Sequence, residues 1–369
     1  FNVLDRTVML WVIRHLWPEG AWFCFNSYCH QALLCVRCDD ETGHFLYSRA
    51  GVTQGAPDAG TDYGVGVTPL VRTIKQAQPD VVAPAFADDL SFTGPFLSVK
   101  QCYAQLRRIG PEYGYFPQST KSVLITSTAN LESARSYFRD EQFEISNGHR
   151  YLGGFIGEAS AFLPWIQAKV GAWTKSTSAL SDACLLYPQS AFCAMQKSLS
   201  HEWQFVQRVT ACDGAQFSPL EAAIAGEFFP LLLGLPTGAG APGDDVEEDV
   251  ADVSLTRRLV ALPIAAAGLS LPDPTTTGSA SFAASCSMTE VATAALLAPR
   301  EPFSLGAHTK QVQETRQATT VAADARAAIA LAALLPEFPV SRRPVILCAQ
   351  ATGAWLTVLP TRENGTILP

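Results

Sequence analysis

Two short apolar runs flank a pair of adjacent carboxylates in the first quarter of this 369-residue chain. The run Val81-Val82-Ala83-Pro84-Ala85 leads into Phe86-Ala87-Asp88-Asp89, and Leu90-Ser91-Phe92-Thr93-Gly94 follows. This pattern predicts two short strands joined by a tight turn that carries Asp88 and Asp89 at its tip. Carboxylate oxygens presented in this way are ligands for Mg²⁺. The pair alone is weak evidence, because adjacent acidic residues also occur in solvated turns.

The segments around this pair occur in a definite order. They are Gly51-Val52-Thr53-Gln54-Gly55-Ala56-Pro57, the Asp88-Asp89 tetrad, Gly114-Tyr115-Phe116-Pro117 with Lys121, and Tyr151-Leu152-Gly153-Gly154-Phe155-Ile156-Gly157. This order resembles the reverse transcriptase family, specifically the retrotransposon type, with its QGxP segment, aromatic-Ala-Asp-Asp hairpin, Gly-rich turn leading to a Lys, and YLGxxI-like strand pair. The resemblance covers residues 1–160 by motif and extends more loosely to about 275.

The resemblance implies an α+β fold with a reverse-transcriptase-like palm, in which an antiparallel sheet is backed by helices. Residues 1–160 would form the palm and partial fingers, and the helical spacing in 161–235 would supply an α-helical thumb. Residues 236–252 are read as an acidic Gly/Pro loop, and 253–369 as a helical, Ala-rich region of unknown role. An ordinary helical bundle explains the thumb-like segment equally well.

Apolar spacing and turn residues also predict single elements of the chain. They are a helix from Asp5 to Trp17 that ends at Pro18, a hairpin of Ala32 to Cys38 and His44 to Arg49, a helix near Phe96 to Ile109, a strand from Ser122 to Thr126 and a helix from Val321 to Leu335. The hairpin, helix and strand pattern fits the antiparallel sheet backed by helices that the resemblance implies.

The resemblance also assigns roles to particular residues. Asp88 and Asp89 would bind metal and activate a primer 3′-hydroxyl for attack on the α-phosphate of a nucleotide, and Lys121 would lie near the phosphates. Three further sets would contact the substrates: Gln54, Gly55 and Pro57 at the template and nucleotide, Phe1 and Phe86 as nucleotide-side aromatics, and Tyr151, Leu152, Gly153 and Gly154 as the primer grip.

The implied activity is RNA-directed DNA polymerisation. Its cofactor would be Mg²⁺ or Mn²⁺, and its partners an RNA template, a DNA or RNA primer and deoxynucleotides. Phe1 would lie under the ribose of the incoming nucleotide and exclude a 2′-hydroxyl. By the family spacing the first metal-binding Asp falls five residues before Phe1, so this chain reads as a fragment that is inactive alone.

Three departures from the family pattern support a rival interpretation. Ala56 and Asp58 stand around the Pro of QGxP, and Phe86 stands where relatives often carry Tyr. Asp58 places a charge near a template-facing turn, which favours a catalytically dead relic or a domesticated nucleic-acid-binding module with the same fold. A metal-dependent hydrolase of unrelated fold is a third and more distant alternative.

Charge does not favour a nucleic-acid partner by itself, since the net charge is −8. The excess of acidic residues lies in the second half of the chain. Residues 1–175 hold 15 Lys and Arg against 16 Asp and Glu, and the remaining residues carry a net charge of −7. A nucleic-acid cleft in the first half is therefore compatible with composition, because bound metal would reverse the local sign.

Ten irregularly spaced cysteines, several in apolar runs, predict a reducing and therefore intracellular setting. Cys35 and Cys38, with Cys29 and His30 nearby, suggest zinc, but positions 35 and 38 of a strand point to opposite faces. No segment is read as long and apolar enough to cross a membrane, so no membrane partner is expected.

Overall fold

A computed structural model describes residues 2–37, 43–235, 246–298 and 303–350, with no side-chain description for 246–252. Contacts within the chain divide it into two compact units, residues 1–147 and 148–369. The architecture is mixed α and β, with long helices and small sheets, which agrees with the α+β class. The unit boundary at 147/148 lies upstream of the 160/161 boundary predicted from the motifs.

Helices α1 (Arg6–Leu16) and α2 (Pro18–Tyr28) open the first unit. Asp5 caps α1 by accepting a hydrogen bond from the backbone N–H of Val8 at 2.9 Å. The helix predicted from Asp5 to Trp17 is thereby confirmed. Pro18 was read only as its terminator, but it also starts α2, because its fixed φ and missing N–H suit the first helical position.

The remaining elements of the first unit alternate short strands with helices. They are β1 (Ala32–Arg37), β2 (Gly43–Ser48), α3 (Ala59–Ala77), β3 (Ala85–Phe86), β4 (Asp89–Leu90), α4 (Phe96–Ile109), β5 (Val123–Ile125), α5 (Leu131–Tyr137) and β6 (Glu144–Ser146). The predicted hairpin of β1 and β2, the helix α4 and the strand β5 are confirmed.

The strands form separate two-stranded sheets among the described residues. β1 pairs with β2 and β3 with β4 in antiparallel fashion, whereas β5 and β6 run parallel. The parallel pairing differs from the antiparallel sheet that was expected to include β5. Its cause is the helix α5 between the two strands, because a crossover brings the chain back in the same direction.

Two apolar clusters hold the first unit together. One joins α1, α2 and α3, and contains Leu4, Met9, Ile13, Cys24, Tyr28, Val52, Ala59, Tyr63 and Val67. The other joins α3 to α4, and contains Leu70, Ile74, Val81, Cys102 and Leu106. α3 serves both clusters, because its apolar residues recur at three- and four-residue spacing along one face.

The second unit starts with the hairpin of β7 (Gly148–Tyr151) and β8 (Gly154–Gly157) and is otherwise helical. Its helices are α6 (Ala159–Cys184), α7 (Pro188–Ala194), α8 (Ser200–Val209), α9 (Ser218–Ala223), α10 (Phe229–Leu233), α11 (Val246–Val260), α12 (Pro274–Leu297), α13 (Leu305–Leu334) and α14 (Arg343–Ala349). Its main core surrounds Trp173, Trp203, Phe217 and Phe228. The predicted helical region after residue 161 is thus confirmed.

The acidic segment differs in part from its prediction as a loop. Residues 236–245 lie outside the described part of the chain, but α11 starts at Val246 and includes the last acidic residues of the run. Arg257 of this helix makes two hydrogen bonds to Glu221, at 2.9 and 2.7 Å. Burial raises the pKa of Glu221, and the Arg257 guanidinium acts in the opposite direction. α11 is therefore attached to the second unit rather than free in solvent.

Two helices are long and apolar enough, by length and composition, to cross a membrane: Pro274–Leu297 and Leu305–Glu337. The expectation that no segment reaches that length and apolarity is therefore wrong. Ala- and Thr-rich stretches look only moderately apolar, but over a long helix they contain few charges. Such helices are weak evidence for a span, since a core helix of a soluble protein passes the same test. The absence of a membrane partner stays a prediction.

Candidate active site

The predicted Asp-Asp hairpin is present in the first unit. β3 and β4 are antiparallel, with Ala85 opposite Leu90 and Phe86 opposite Asp89, so that Ala87 and Asp88 form a two-residue turn. Ala87 has a φ of 52°, in the left-handed region that costs a residue with a Cβ about 1–2 kcal/mol. A positive φ at the first turn residue is normally supplied by Gly. Strain of this kind persists only where the surroundings enforce it.

Asp88 and Asp89 are both exposed at this turn. Within the part of the chain that the structure describes, neither carboxylate makes an ion pair or a side-chain hydrogen bond. Both therefore keep their oxygens available for an external ligand. Phe86, directly before the turn, leaves 64% of its surface exposed.

Two tyrosines lie near the carboxylates. The Tyr115 hydroxyl donates a hydrogen bond to the backbone carbonyl of Asp88 at 2.8 Å. Burial raises the pKa of Tyr115 to about 12, with contributions from the charges of Asp88 and Asp89. The pKa of Tyr63, which is buried on α3, is also raised, chiefly by burial and then by Tyr115 and both carboxylates. Tyr63, Tyr115 and the Asp pair thus form one local cluster.

The Gly-Tyr-Phe-Pro turn is fixed against the start of the chain. Gly114 has a φ of 74°, and a Cβ there would overlap the carbonyl oxygen of Val3 and lie 2.6 Å from the backbone nitrogen of Asp5. The backbone N–H of Asp5 donates to the carbonyl of Tyr113 at 3.0 Å. Only Gly allows this approach. The segment Val3-Leu4-Asp5-Arg6, which we term the first-motif segment because the resemblance aligns it with the end of the family's first palm motif, therefore packs directly beside the turn that carries Tyr115.

The same segment also binds the backbone between the end of β2 and Gln54. The Gly51 N–H donates to the carbonyl of Leu4 at 2.8 Å, and the Arg6 guanidinium donates to the carbonyls of Gly51 and Ser48 at 2.8 and 2.7 Å. Arg6 also lies over the ring of Tyr28, 5.2 Å from its centroid. Three motifs that are far apart in sequence are thereby packed together: the first-motif segment, the QGxP segment and the Gly-Tyr-Phe-Pro turn.

The other predicted residues of the first unit lie on its surface. Gln54, Gly55 and Pro57 are exposed, and Gly55 has a φ of 93°. Lys121 is exposed at the end of a short turn, Ser119–Lys121, and makes no ion pair within the described residues. Their predicted roles stay predictions. Phe1 lies outside the described residues.

The predicted primer-grip residues belong to the second unit. Tyr151 and Gly154 face each other across β7 and β8, and Leu152 and Gly153 form the turn with φ values of 47° and 85°. Two positive φ values are typical of a type I′ hairpin turn. A Cβ on Gly153 would lie 2.7 Å from the ring of Phe205 on α8, so the turn is packed closely onto that helix.

Metal ligation at the hairpin would use a small donor set. Two exposed carboxylates fit Mg²⁺ or Mn²⁺, because Mg²⁺ is commonly bound through one or two carboxylates, with water and substrate phosphates completing its shell. The described residues contain no cluster of three or more His, Cys, Asp or Glu side chains. Of the four residues considered for a zinc site, Cys29, His30 and Cys35 are among these described residues, whereas Cys38 lies outside the described part of the chain.

A buried acid beneath the QGxP segment was missed by the sequence reading. Asp62 on α3 is fully buried, accepts a hydrogen bond from the Cys24 thiol at 3.1 Å, and has no partner for Oδ2 among the described residues. Its pKa is raised by burial and by Asp58, against the Cys24 hydrogen bond. Burial, followed by Asp62, raises the pKa of Cys24 to about 12. The spacing of α3 places position 62 beside the core face, which is the signal that could have found it.

We expect Asp62→Asn to stabilise the protein by about 1–3 kcal/mol at neutral pH, because it removes a negative charge that burial disfavours while keeping the shape of the side chain. Because the pKa of Asp62 is raised in the folded state, its contribution to stability is fully present below its unfolded-state pKa and is lost as pH rises through its folded-state pKa. Between pH 4.5 and 7.5, the free energy of unfolding in urea should therefore fall less in the variant than in the wild-type protein. Asp140→Asn, with a side chain 72% exposed, is the control, and equal pH dependence in the two variants would contradict the assignment.

Comparison with known proteins adds no relative, since no protein family, curated protein or solved structure matches this chain. The candidate site is therefore inferred only from the chemistry and the contacts of its own residues. The sequence patterns did not single out three residues of this region: Tyr63, Tyr115 and Arg6. Tyr63 and Tyr115 lie near the hairpin, and Arg6 binds Ser48 and Gly51. These partners are many residues apart in the chain, so no local pattern reveals them.

Proposed function

We propose that this chain is part of a retroelement reverse transcriptase, an RNA-directed DNA polymerase that uses Mg²⁺ or Mn²⁺. The observation that carries the proposal is the Asp88-Asp89 hairpin, which is exposed, unpaired within the described residues and anchored beneath by Tyr115. The order of the flanking motifs supports it. The palm and the thumb that the family resemblance implies are part of this proposal.

The packing of distant motifs supports the same proposal. A polymerase site must bring metal ligands, nucleotide-facing backbone and a phosphate-facing turn to one place, because catalysis of phosphoryl transfer depends on positioning and charge stabilisation. In the first unit, Gly51 and Gly114 each contact the segment from Val3 to Arg6.

In the proposed reaction, Asp88 and Asp89 hold the divalent ions through their free oxygens. When bound, the ions supply charge stabilisation for the attacking and leaving oxygens. Gln54 and Gly55 lie on an exposed turn that is available to template and nucleotide, and the positive φ of Gly55 leaves space for close approach of a ligand. Lys121 neutralises charge on the departing pyrophosphate.

A nucleic-acid-binding module without catalysis is the second candidate. It is favoured by the small donor set, because the described residues offer no third acidic, Cys or His ligand beside the pair. Asp58 also lies on α3's first turn, next to the exposed Pro57. Such a module would bind a primer–template duplex as well as the polymerase does, but would not extend it.

Primer extension separates the two candidates. The protein, expressed as its complete reading frame, is incubated with an RNA template, a DNA primer, deoxynucleotides and Mg²⁺. A polymerase extends the primer and stops when the metal is chelated, whereas a binding module retains the duplex without product. The family resemblance gives a second criterion, since it predicts that the reading frame of a polymerase carries an Asp five residues before the position of Phe1.

A further inference from the structure

The turn that carries Asp88 closes a short hairpin. β3 and β4 contribute two residue pairs, and the ladder continues through a hydrogen bond from Ser91 N–H to the carbonyl of Pro84 at 3.0 Å and through two between Val82 and Thr93, at 2.9 and 2.8 Å. Short hairpins are marginally stable in water. The left-handed conformation of Ala87 adds strain. An interaction from outside the hairpin must therefore help to hold this conformation.

Tyr115 provides such an interaction and is itself firmly placed. Its backbone N–H donates to the carbonyl of Gly110 at 2.9 Å, and its ring packs against the cluster that contains Leu70, Ile74 and Leu106. The hydroxyl at the end of this fixed ring reaches the carbonyl of Asp88. The turn is thus tied to the α3–α4 core through one side chain.

The atom that Tyr115 binds matters for geometry. The carbonyl oxygen of Asp88 belongs to the planar peptide unit that joins the Cα atoms of Asp88 and Asp89. Fixing this oxygen fixes the orientation of the unit, and with it the directions in which both carboxylate side chains leave the backbone. One hydrogen bond therefore constrains two candidate metal ligands.

We propose that Tyr115 is a positioning residue for the metal-binding pair: its hydroxyl holds the Asp88–Asp89 peptide so that both carboxylates face one ligand. The metal part of this inference rests on the proposed function, whereas the fixation of the turn does not. The observation that carries the inference is the 2.8 Å hydrogen bond from the Tyr115 hydroxyl to the Asp88 carbonyl.

The test compares the wild-type chain with Tyr115→Phe, which keeps the ring and removes the hydroxyl. Tyr113→Phe is the matched control, because its ring packs against the same core cluster two residues earlier. Hydrogen exchange of the backbone amides from Phe86 to Ser91 reports on the turn, and loss of the free Mn²⁺ signal in electron paramagnetic resonance reports on metal binding.

Tyr115→Phe should speed exchange in the turn and weaken Mn²⁺ binding about three- to tenfold, the range expected when one hydrogen bond is lost. Tyr113→Phe should change neither.

Unchanged exchange in Tyr115→Phe would overturn the fixation of the turn, whatever the metal data show. Faster exchange with unchanged Mn²⁺ affinity would overturn the positioning of the ligands. If the wild-type chain binds no Mn²⁺ that Asp88→Ala removes, the proposed function fails, and the exchange data alone then decide whether Tyr115 holds the turn.

Discussion

Asp88→Ala should abolish Mg²⁺-dependent primer extension by the protein expressed as its complete reading frame, while the fold stays intact. The expected loss is at least about a thousandfold, because removal of a metal ligand removes charge stabilisation that acts mainly in the transition state. The side chain is exposed and makes no ion pair in the described part of the chain, so its removal should not destabilise the first unit. Rate is measured by single-nucleotide incorporation, and integrity of the fold by thermal unfolding.

Glu132→Gln is the charge-matched control for this variant. Its side chain is 97% exposed and lies outside the hairpin, in a weak surface contact with Arg135 at 4.0 Å. It should extend the primer at the parent rate, since exposed pairs of this kind contribute little. Equal activity in Asp88→Ala and Glu132→Gln would refute the role of the hairpin as metal ligand.

Gly114→Ala should destabilise the protein by about 2–5 kcal/mol, the sum of left-handed strain and backbone overlap. The added Cβ would overlap the backbone of Val3 and approach that of Asp5, neither of which is the end of a flexible side chain. The segment that contacts Gly51 and the turn that carries Tyr115 must then separate. The free energy of unfolding in urea measures the effect.

Gly60→Ala on α3 is the control for this substitution, because a Cβ there meets no atom within 4 Å. A helical Gly→Ala change in open space should stabilise by about 0.5–1 kcal/mol. Opposite signs for the two variants support the close packing of the Gly-Tyr-Phe-Pro turn. A Gly114→Ala protein as stable as Gly60→Ala would show that the turn does not lie against the first-motif segment.

Helices and hairpins were predictable from the sequence where a short stretch of residues determines them. α4 has the predicted bounds of Phe96–Ile109, and the Asp-Asp hairpin was evident from its flanking apolar runs and its turn. Pro18 was misread because the same residue that ends one helix is favoured at the start of another. The helix ending at Leu334 was predicted only from Val321, since the residues upstream of it include charged and polar ones that mask its length.

The candidate site was predictable only in part, and for a physical reason. Asp88 and Asp89 belong to a short motif, whereas the hydrogen bond that supports their turn comes from Tyr115, which is distant in sequence. Tyr63, also distant in sequence, senses the charges of both carboxylates only in the folded chain. Asp62 was missed because an acidic residue within an amphipathic helix is normally assigned to solvent. Burial of that carboxyl beside Cys24 is a tertiary effect.

Divalent metal binding by the chain is the most direct test of the central claim that the Asp88-Asp89 hairpin is a metal site. Mn²⁺ is titrated into the wild-type protein and into a variant that carries both Asp88→Asn and Asp89→Asn, and free Mn²⁺ is followed by electron paramagnetic resonance. A matched variant with Glu132→Gln and Asp140→Asn controls for the loss of two surface charges. The account predicts saturable binding in the wild type and the control, weakened at least about tenfold in the hairpin variant; equal affinities in all three proteins would contradict it.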